Sequence, residues 1–298
     1  MEEIQQTRIR CARKDSSVYP ARLKELPGMP KQLYYIGSFP DDAKPTAAIV
    51  GARLCSPYGR IQAFNYGKFL SEHGVQVISG MAAGIDAEGH KGALEGGTPT
   101  FAVLGNGVDI CYPSSSRGIY RRIPEKNGGI ISEYEPGTKG RAYYFPARNR
   151  IISGLSDAVL VMEARVRSGS LITADMALEQ GKDVYALPGP LDSPLSAGCN
   201  HLIQQGAGIL LNPKNLLEEW GIETNVLCRN TEIKNEKNKK VLESIDDLVY
   251  SCVGLYPKNV DQIAQESRVE IRKLMSILVT LELQGYIREI TKNYYIRR

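Results

Sequence analysis

Short, wholly apolar runs recur along most of the chain, and between them apolar positions return at helical spacing. The run AAIV after Thr46, VQVIS over Val75 to Ser79, TFAVLG over Thr100 to Gly105, GIISEY over Gly129 to Tyr134, AVLVME over Ala158 to Glu163 and DVYALPG from Asp183 read as strands. Amphipathic stretches over about residues 58–73, from Asp86 to about Glu95, near residues 115–126 and within NRIISGLS, LITADMALEQ and HLIQQ read as helices. Strands with little polar alternation are buried on both faces, and strict strand–helix alternation lays helices over a parallel sheet. The predicted class is therefore α/β, with an extended, Rossmann-like, doubly wound and mostly parallel sheet.

The pattern breaks at both ends of this unit. Residues 1–45 carry Pro20, Pro27, Pro30, Pro40 and Pro45 among short apolar pieces, which suits a packed N-terminal arm on the main domain rather than a helix. Residues 46–223 form the sheet domain. Residues 224–240 turn polar (NTEIKNEKNKK) and read as a linker. Residues 241–298 then offer three helices, over 241–253, 260–265 and 269–284, followed by strands YIREI and YYIRR around TKN. That order predicts a small winged-helix domain. Its longest helix should turn Ile271, Leu274, Ile277, Leu278 and Leu281 inward and Glu270, Arg272, Lys273, Ser276, Thr280 and Glu282 outward.

Composition narrows the classes. A chain of 298 residues, 42% hydrophobic and 23% charged, suits one large domain plus an appendage. A net charge of +4 is too small to identify a nucleic-acid partner unless the cations cluster. Six cysteines contain no C-x-x-C pair and there are three histidines, so neither a zinc site nor any other metal or cofactor is expected. The polar start, MEEIQQTRIR, is unlike a signal peptide, and no apolar run reaches the ~20 residues a membrane helix needs. A cytoplasmic protein with no membrane partner is the expectation.

Candidate chemistry converges on the carboxyl ends of the strands, where crevices open in doubly wound sheets. After VQVIS comes SGMAAGIDAEGH, a strand, glycine turn and helix start in which Ser79, Gly80 and Gly84 offer a cradle of backbone N–H groups to an anion. Its spacing is G-x-x-x-G-x-D rather than the dinucleotide G-x-G-x-x-G. GAR after the first strand supplies Arg53; SGS supplies Ser168, Gly169 and Ser170 at a helix start; FPARNR supplies Phe145, Arg148, Asn149 and Arg150 just before another helix. Cations for phosphates, hydroxyls, backbone donors and a ring for a base to stack on are the inventory of a single-strand binding pocket. Plainer readings stand beside these: Asp86 as a helix N-cap with His90 packed against it, Arg148 and Arg150 as partners of Glu133 or Glu163, and Phe145 as core.

IVGAR, ISGMAAGIDAEGHKGAL, VLGNGVDICYP, ISEYEPGT, FPARNRIISGLSDAVLVMEA, SGSLITADMALEQGKDVYALPG and NHLIQQGA, in this order, resemble the DNA-processing protein A family, also called Smf. The resemblance covers about Tyr19 to Glu219, and the tail resembles the winged-helix domain carried by many members. It implies a single-stranded DNA-binding homodimer that protects incoming strands and helps load the RecA recombinase in natural transformation. It implies that Arg53 contacts phosphate, that Ser79, Gly80 and Gly84 form the glycine loop, and that Phe145 stacks on a base. A lysine that members often carry three residues before the aromatic is replaced by Ala142, with Lys139 and Arg141 nearby. The N-terminal helical domain of longer members is cut down to the arm.

The leading expectation is thus a single-strand-binding mediator without catalysis, since His90 has no adjacent nucleophile. One alternative is a nucleotide N-glycosidic hydrolase of a related Rossmann family, but the helix start SGSLITADMA offers only Asp175 near the position where those enzymes resemble one another in a glutamate. Another is a winged-helix regulator of duplex DNA, against which stand the ten basic and eight acidic side chains from Asn238 onward.

Overall fold

The computed structural model describes residues 9–222, 244–254 and 257–297. The chain divides after residue 224 into two compact units. In the first, strands β1 (Arg10–Arg13), β2 (Gln32–Gly37), β3 (Thr46–Val50), β4 (Gln76–Ser79), β5 (Thr100–Leu104), β6 (Gly129–Ser132), β7 (Ala158–Val161), β8 (Asp183–Ala186) and β9 (Gly208–Ile209) form one sheet in the order β1-β2-β6-β5-β4-β3-β7-β8-β9. Its helices are α1 (Ala21–Lys24), α2 (Pro57–Glu72), α3 (Ile85–Gly96), α4 (Arg117–Glu125), α5 (Tyr144–Leu155), α6 (Gly169–Glu179), α7 (Ala197–Gln204) and α8 (Pro213–Glu219).

From β3 the chain winds through β4 and β5 to β6 on one side of the sheet, then restarts beside β3 with β7 and proceeds through β8 to β9 on the other. All of these neighbours pair in parallel, with Ala47 opposite Ala158 and Val50 opposite Val161 across the join. The strand order therefore reverses between β3 and β7, and the loops leaving their carboxyl ends diverge to opposite faces. The alternation along β3 shows the two-sided burial: Ala48 and Val50 pack with α5 and α6, while Ala47 and Ile49 pack with α2 and α3.

Three sequence expectations change. The N-terminal arm does not merely lie on the domain: β1 pairs antiparallel with β2, and β2 antiparallel with β6, so the arm widens the sheet. Tyr19, Leu23, Met29 and Leu33 join its core, and Arg22 pins the segment through Asp157 at 2.9 Å. Next, α5 starts at Tyr144, so Phe145, Arg148, Asn149 and Arg150 stand within the helix rather than before it. Pro146 is compatible with this because the N–H groups of a first helical turn have no intrahelical partner to lose. Last, β9 adds a short edge strand.

The second unit contains α9 (Ser244–Cys252), β10 (Lys258–Asn259), α10 (Val260–Ser267), α11 (Ile271–Leu283), β11 (Ile287–Thr291) and β12 (Tyr294–Arg297), with β12 between β10 and β11. This is the expected winged helix. Its core joins Val249, Ile263, Leu274, Ile277, Leu278, Leu281, Ile287 and Tyr295. Ile271, expected inside, is exposed at the first turn of α11, beyond the reach of that core. The expected linker, residues 224–240, lies outside the described residues.

Candidate nucleic-acid interface

A cavity of about 500 Å³ opens where the strand order reverses. It is lined from the loop after β3 by Gly51, Ala52, Arg53 and Leu54, from α5 by Phe145, Arg148 and Asn149, and from the loop after β7 by Arg165, Arg167, Ser168, Gly169 and Ser170.

The loop carrying Arg53 is held at both ends by one residue. Ala52 N donates to the Glu163 carbonyl at 2.8 Å, while Ser56 N and Oγ donate to the Glu163 carboxylate at 2.8 and 2.5 Å. Ser56 also caps α2, accepting from Gly59 N at 3.1 Å. Burial pushes the Glu163 carboxyl up, and the Ser56 donors pull it back. Between these anchors Arg53 is exposed, with its guanidinium carbon 5.4 Å from the centre of the Phe145 ring. That ring is seated on glycine backbone: a Cβ on Gly105 would meet it at 2.9 Å and one on Gly140 at 3.1 Å.

The glycine loop behaves differently from its sequence expectation. Gly80 N and Ala82 N donate to the Asp86 carboxylate at 3.1 and 3.3 Å, so these donors already hold an internal anion rather than offering themselves to a phosphate. Gly84, not Asp86, is the N-cap of α3, and Asp86 reaches back from the first turn. Burial raises the Asp86 carboxyl, opposed chiefly by the charge of Arg148. Arg148 is itself buried; its Nη1 donates to the carbonyls of Gly80, at 2.9 Å, and Val103. Desolvation lowers its pKa to about 10, with Asp86 opposing. Its Nε has no hydrogen-bond partner among the described residues. His90 packs beneath on Thr100 rather than against Asp86, with Nδ1 2.8 Å from Oγ1.

At the far wall Ser168 caps α6, accepting from Ser170 N at 3.3 Å, and Asn149 Nδ2 donates to the Gly169 carbonyl at 3.3 Å. The positive end of α6 thus faces the cavity. Arg165 and Arg167, exposed and without an ion pair among the described residues, were not singled out in the sequence. The signal was the RVR between a strand end and SGS.

Of the expected contacts, Arg53, Phe145, Arg148, Asn149, Ser168, Gly169 and Ser170 meet in this cavity, whereas Ser79, Gly80, Gly84, Lys139, Arg141 and Arg150 do not line it. Ser79 is buried and its hydroxyl donates to the Ile49 carbonyl at 2.6 Å. Gly84 lies against the carbonyls of Ala52 and Arg53. Arg150 pairs with Glu133 at 2.7 Å, as its plainer reading held. Arg141 is turned outward onto Tyr143, donating to its hydroxyl at 3.1 Å, and lies over the Tyr144 ring, so it does not take the place left by Ala142. Lys139 is exposed outside the cavity.

Residues 10–221 match the family model of DNA recombination-mediator protein A. The chain belongs to that family. Residues 235–290 match the DprA winged helix domain. The chain is 36% identical to protein Smf of Escherichia coli over 282 residues, covering 94% of this chain and 75% of that one. It is 41% identical to the DNA processing protein DprA of Streptococcus pneumoniae over 202 residues, covering 68% and 71%. The crystal structure of the Streptococcus pneumoniae protein superposes with a TM-score of 0.65 at 36% identity, covering 74% of this chain and 78% of that one. The Helicobacter pylori DNA processing protein A, whose structure describes a single-stranded DNA binding mode, superposes at 0.63 with 28% identity, covering 71% and 95%. Among the described residues no helix is long and apolar enough to cross a membrane.

Proposed function

We propose that this protein is a recombination mediator that binds single-stranded DNA in the cavity between β3 and β7. The observation that carries this reading is the charge balance of the cavity: Arg53, Arg148, Arg165 and Arg167 line it, and Asp86, the one lining acid among the described residues, is already engaged by backbone donors. The exposed arginines take phosphates, the positive end of α6 adds to the field, and Phe145 offers a face to a base. Stacking and phosphate contacts read no base edges, so binding in this mode is independent of sequence. The Helicobacter pylori relative's single-strand binding mode supports the assignment.

The family carries the rest of the proposal: protection of incoming strands, loading of RecA during natural transformation, a homodimer and a cytoplasmic location. The protein acts by binding and not by catalysis. The hydrolase alternative gains little from the fold, since Asp175 is exposed on α6 outside the cavity and the lining Asp86 is held by backbone donors.

Fluorescence anisotropy with labelled single strands, duplex and free nucleotide across a range of salt tests the pocket. Wild type should prefer single strands, with a log–log salt slope of about −0.7 per phosphate neutralised. Arg53→Ala should weaken binding roughly tenfold or more, the scale of a lost charge-assisted contact of about 1.5–3 kcal/mol. Unchanged affinity in the variant would remove the pocket assignment, and tight nucleotide binding without strand preference would favour the hydrolase.

A further inference from the structure

Beyond the cavity, on the side of Phe145 that carries the loop after β5, stands a second aromatic residue. The Tyr112 ring centre is 5.5 Å from that of Phe145, with the planes tilted by 34°. Tyr112 is 51% exposed, and its hydroxyl has no hydrogen-bond partner among the described residues. A large ring left half in water is not explained by core packing, which buries such rings. It leans on Phe145, the ring already expected to carry a base.

Cations follow Tyr112 in the chain. Tyr112 leads through a short 3₁₀ turn, Ser114–Ser116, into α4, which buries Ile119, Tyr120 and Ile123 and leaves Arg117 and Arg121 exposed. These two arginines are four residues apart and so share one face of the helix. Neither has an ion pair among the described residues. Burial pushes the neighbouring Cys111 thiol up, and the charges of Arg117 and Arg121 pull it down. A ring beside a ring, followed in the chain by exposed cations, repeats the composition of the cavity's own Arg53–Phe145 pair.

We propose that a single strand seated on Phe145 continues over Tyr112, which stacks on the next base, and that Arg117 and Arg121 hold the phosphates that follow. The ligand is single-stranded nucleic acid longer than the cavity accommodates, and the inference rests on the binding site proposed above. The track accounts for a half-exposed aromatic beside Phe145 and directs the strand from the β3–β7 crevice toward α4.

The test compares oligothymidylates of about 4 and about 16 nucleotides, the span of site sizes found for single-strand-binding folds, by anisotropy over a range of salt with the full chain. Tyr112→Ala should weaken binding of the long strand about fivefold or more and of the short strand less than twofold, whereas Tyr112→Phe should match wild type on both. Arg117→Ala with Arg121→Ala should lower the salt slope for the long strand by about 1.4, which is two phosphates at ~0.7 each. Equal losses at both lengths in Tyr112→Ala would mean that Tyr112 only braces Phe145, and no loss at either length would remove it from the path; both outcomes overturn the proposal. Arg53→Ala and Phe145→Ala run in parallel should weaken both lengths. If they do not, the parent site fails, a result distinct from failure of the track. Thermal melts confirm that each variant is folded.

Discussion

The guanidinium of Arg148 lies against the backbone of Gly80, donating to its carbonyl at 2.9 Å while the Gly80 N–H donates to Asp86 at 3.1 Å. One glycine is thus clasped between a buried cation and a buried carboxylate, and the loop after β4 is fixed by charges that belong to the protein. The cavity beside it owes its floor to this arrangement.

A side chain at Gly80 would disturb the clasp. A Cβ there would stand 2.6 to 2.8 Å from the guanidinium atoms of Arg148, closer than packed atoms approach. Gly80→Ala should cost about 1–3 kcal/mol in urea unfolding, the usual range for overpacking. Arg148→Ala should cost at least as much, because it removes the donor to the Gly80 and Val103 carbonyls and the charge that opposes the burial of Asp86. A Gly80→Ala protein as stable as wild type would show that Arg148 is free to move away.

His90 makes stability depend on pH. Thr100 Oγ1 donates its proton to the Val77 carbonyl at 2.7 Å, so it must accept from His90 Nδ1, which fixes the neutral tautomer and leaves Nε2 buried without a partner among the described residues. Desolvation, with the charge of Arg148, lowers the His90 pKa to about 3 from its ordinary 6.5. Between those values the unfolded chain binds the proton and the folded chain does not. Folding stability contributed by this group is therefore whole above pH 6.5 and declines as pH falls toward 3, by at most about 1.4 kcal/mol per unit. His90→Asn keeps a donor near Nδ1 and removes the titration. Its stability should fall less steeply than that of wild type between pH 6.5 and 5, as measured by urea midpoints; parallel slopes would contradict the neutral buried imidazole.

Glu163 should govern single-strand binding without touching DNA. Its carbonyl and carboxylate hold the two ends of the segment that presents Arg53. Glu163→Ala removes the acceptor of the half-buried Ser56 donors, at about 0.5–1.5 kcal/mol of stability for each lost hydrogen bond, and frees the segment, so affinity for single strands should fall several-fold. Glu163→Gln retains an acceptor and should recover most of both. If affinity is unaltered in a folded Glu163→Ala protein, the Arg53 loop is set by other contacts.

The parallel strands were legible because a run such as AVLV records its own two-sided burial, and the family motifs lie at the ends of those runs. Arg53, Phe145 and Ser168 were expected by the same logic, as residues following strands or opening helices, and they line the cavity. What went unread depended on distant partners. The edge pairing of β2 with β6 joins Tyr34 to Ser132, and nothing near either residue announces the other. Arg150 was indistinguishable from Arg148 in FPARNR, yet one pairs with Glu133 at half-buried depth and the other turns into the glycine loop. Arg165 and Arg167 looked like ordinary solvated charges until the reversal of strand order brought their loop beside that of Arg53.

Local chemistry along the chain thus determined the class of fold and the winged-helix tail, since apolar periodicity, glycine turns and helix caps act over a few residues, while the ordered motifs carried the resemblance to the family. Tertiary structure alone decided which anion the glycine loop holds, which arginines face the crevice and which aromatic stands next to Phe145. Those outcomes depend on charges and rings brought together from positions far apart in the chain, where burial strengthens some pairings and leaves the exposed cations to solvent and ligand.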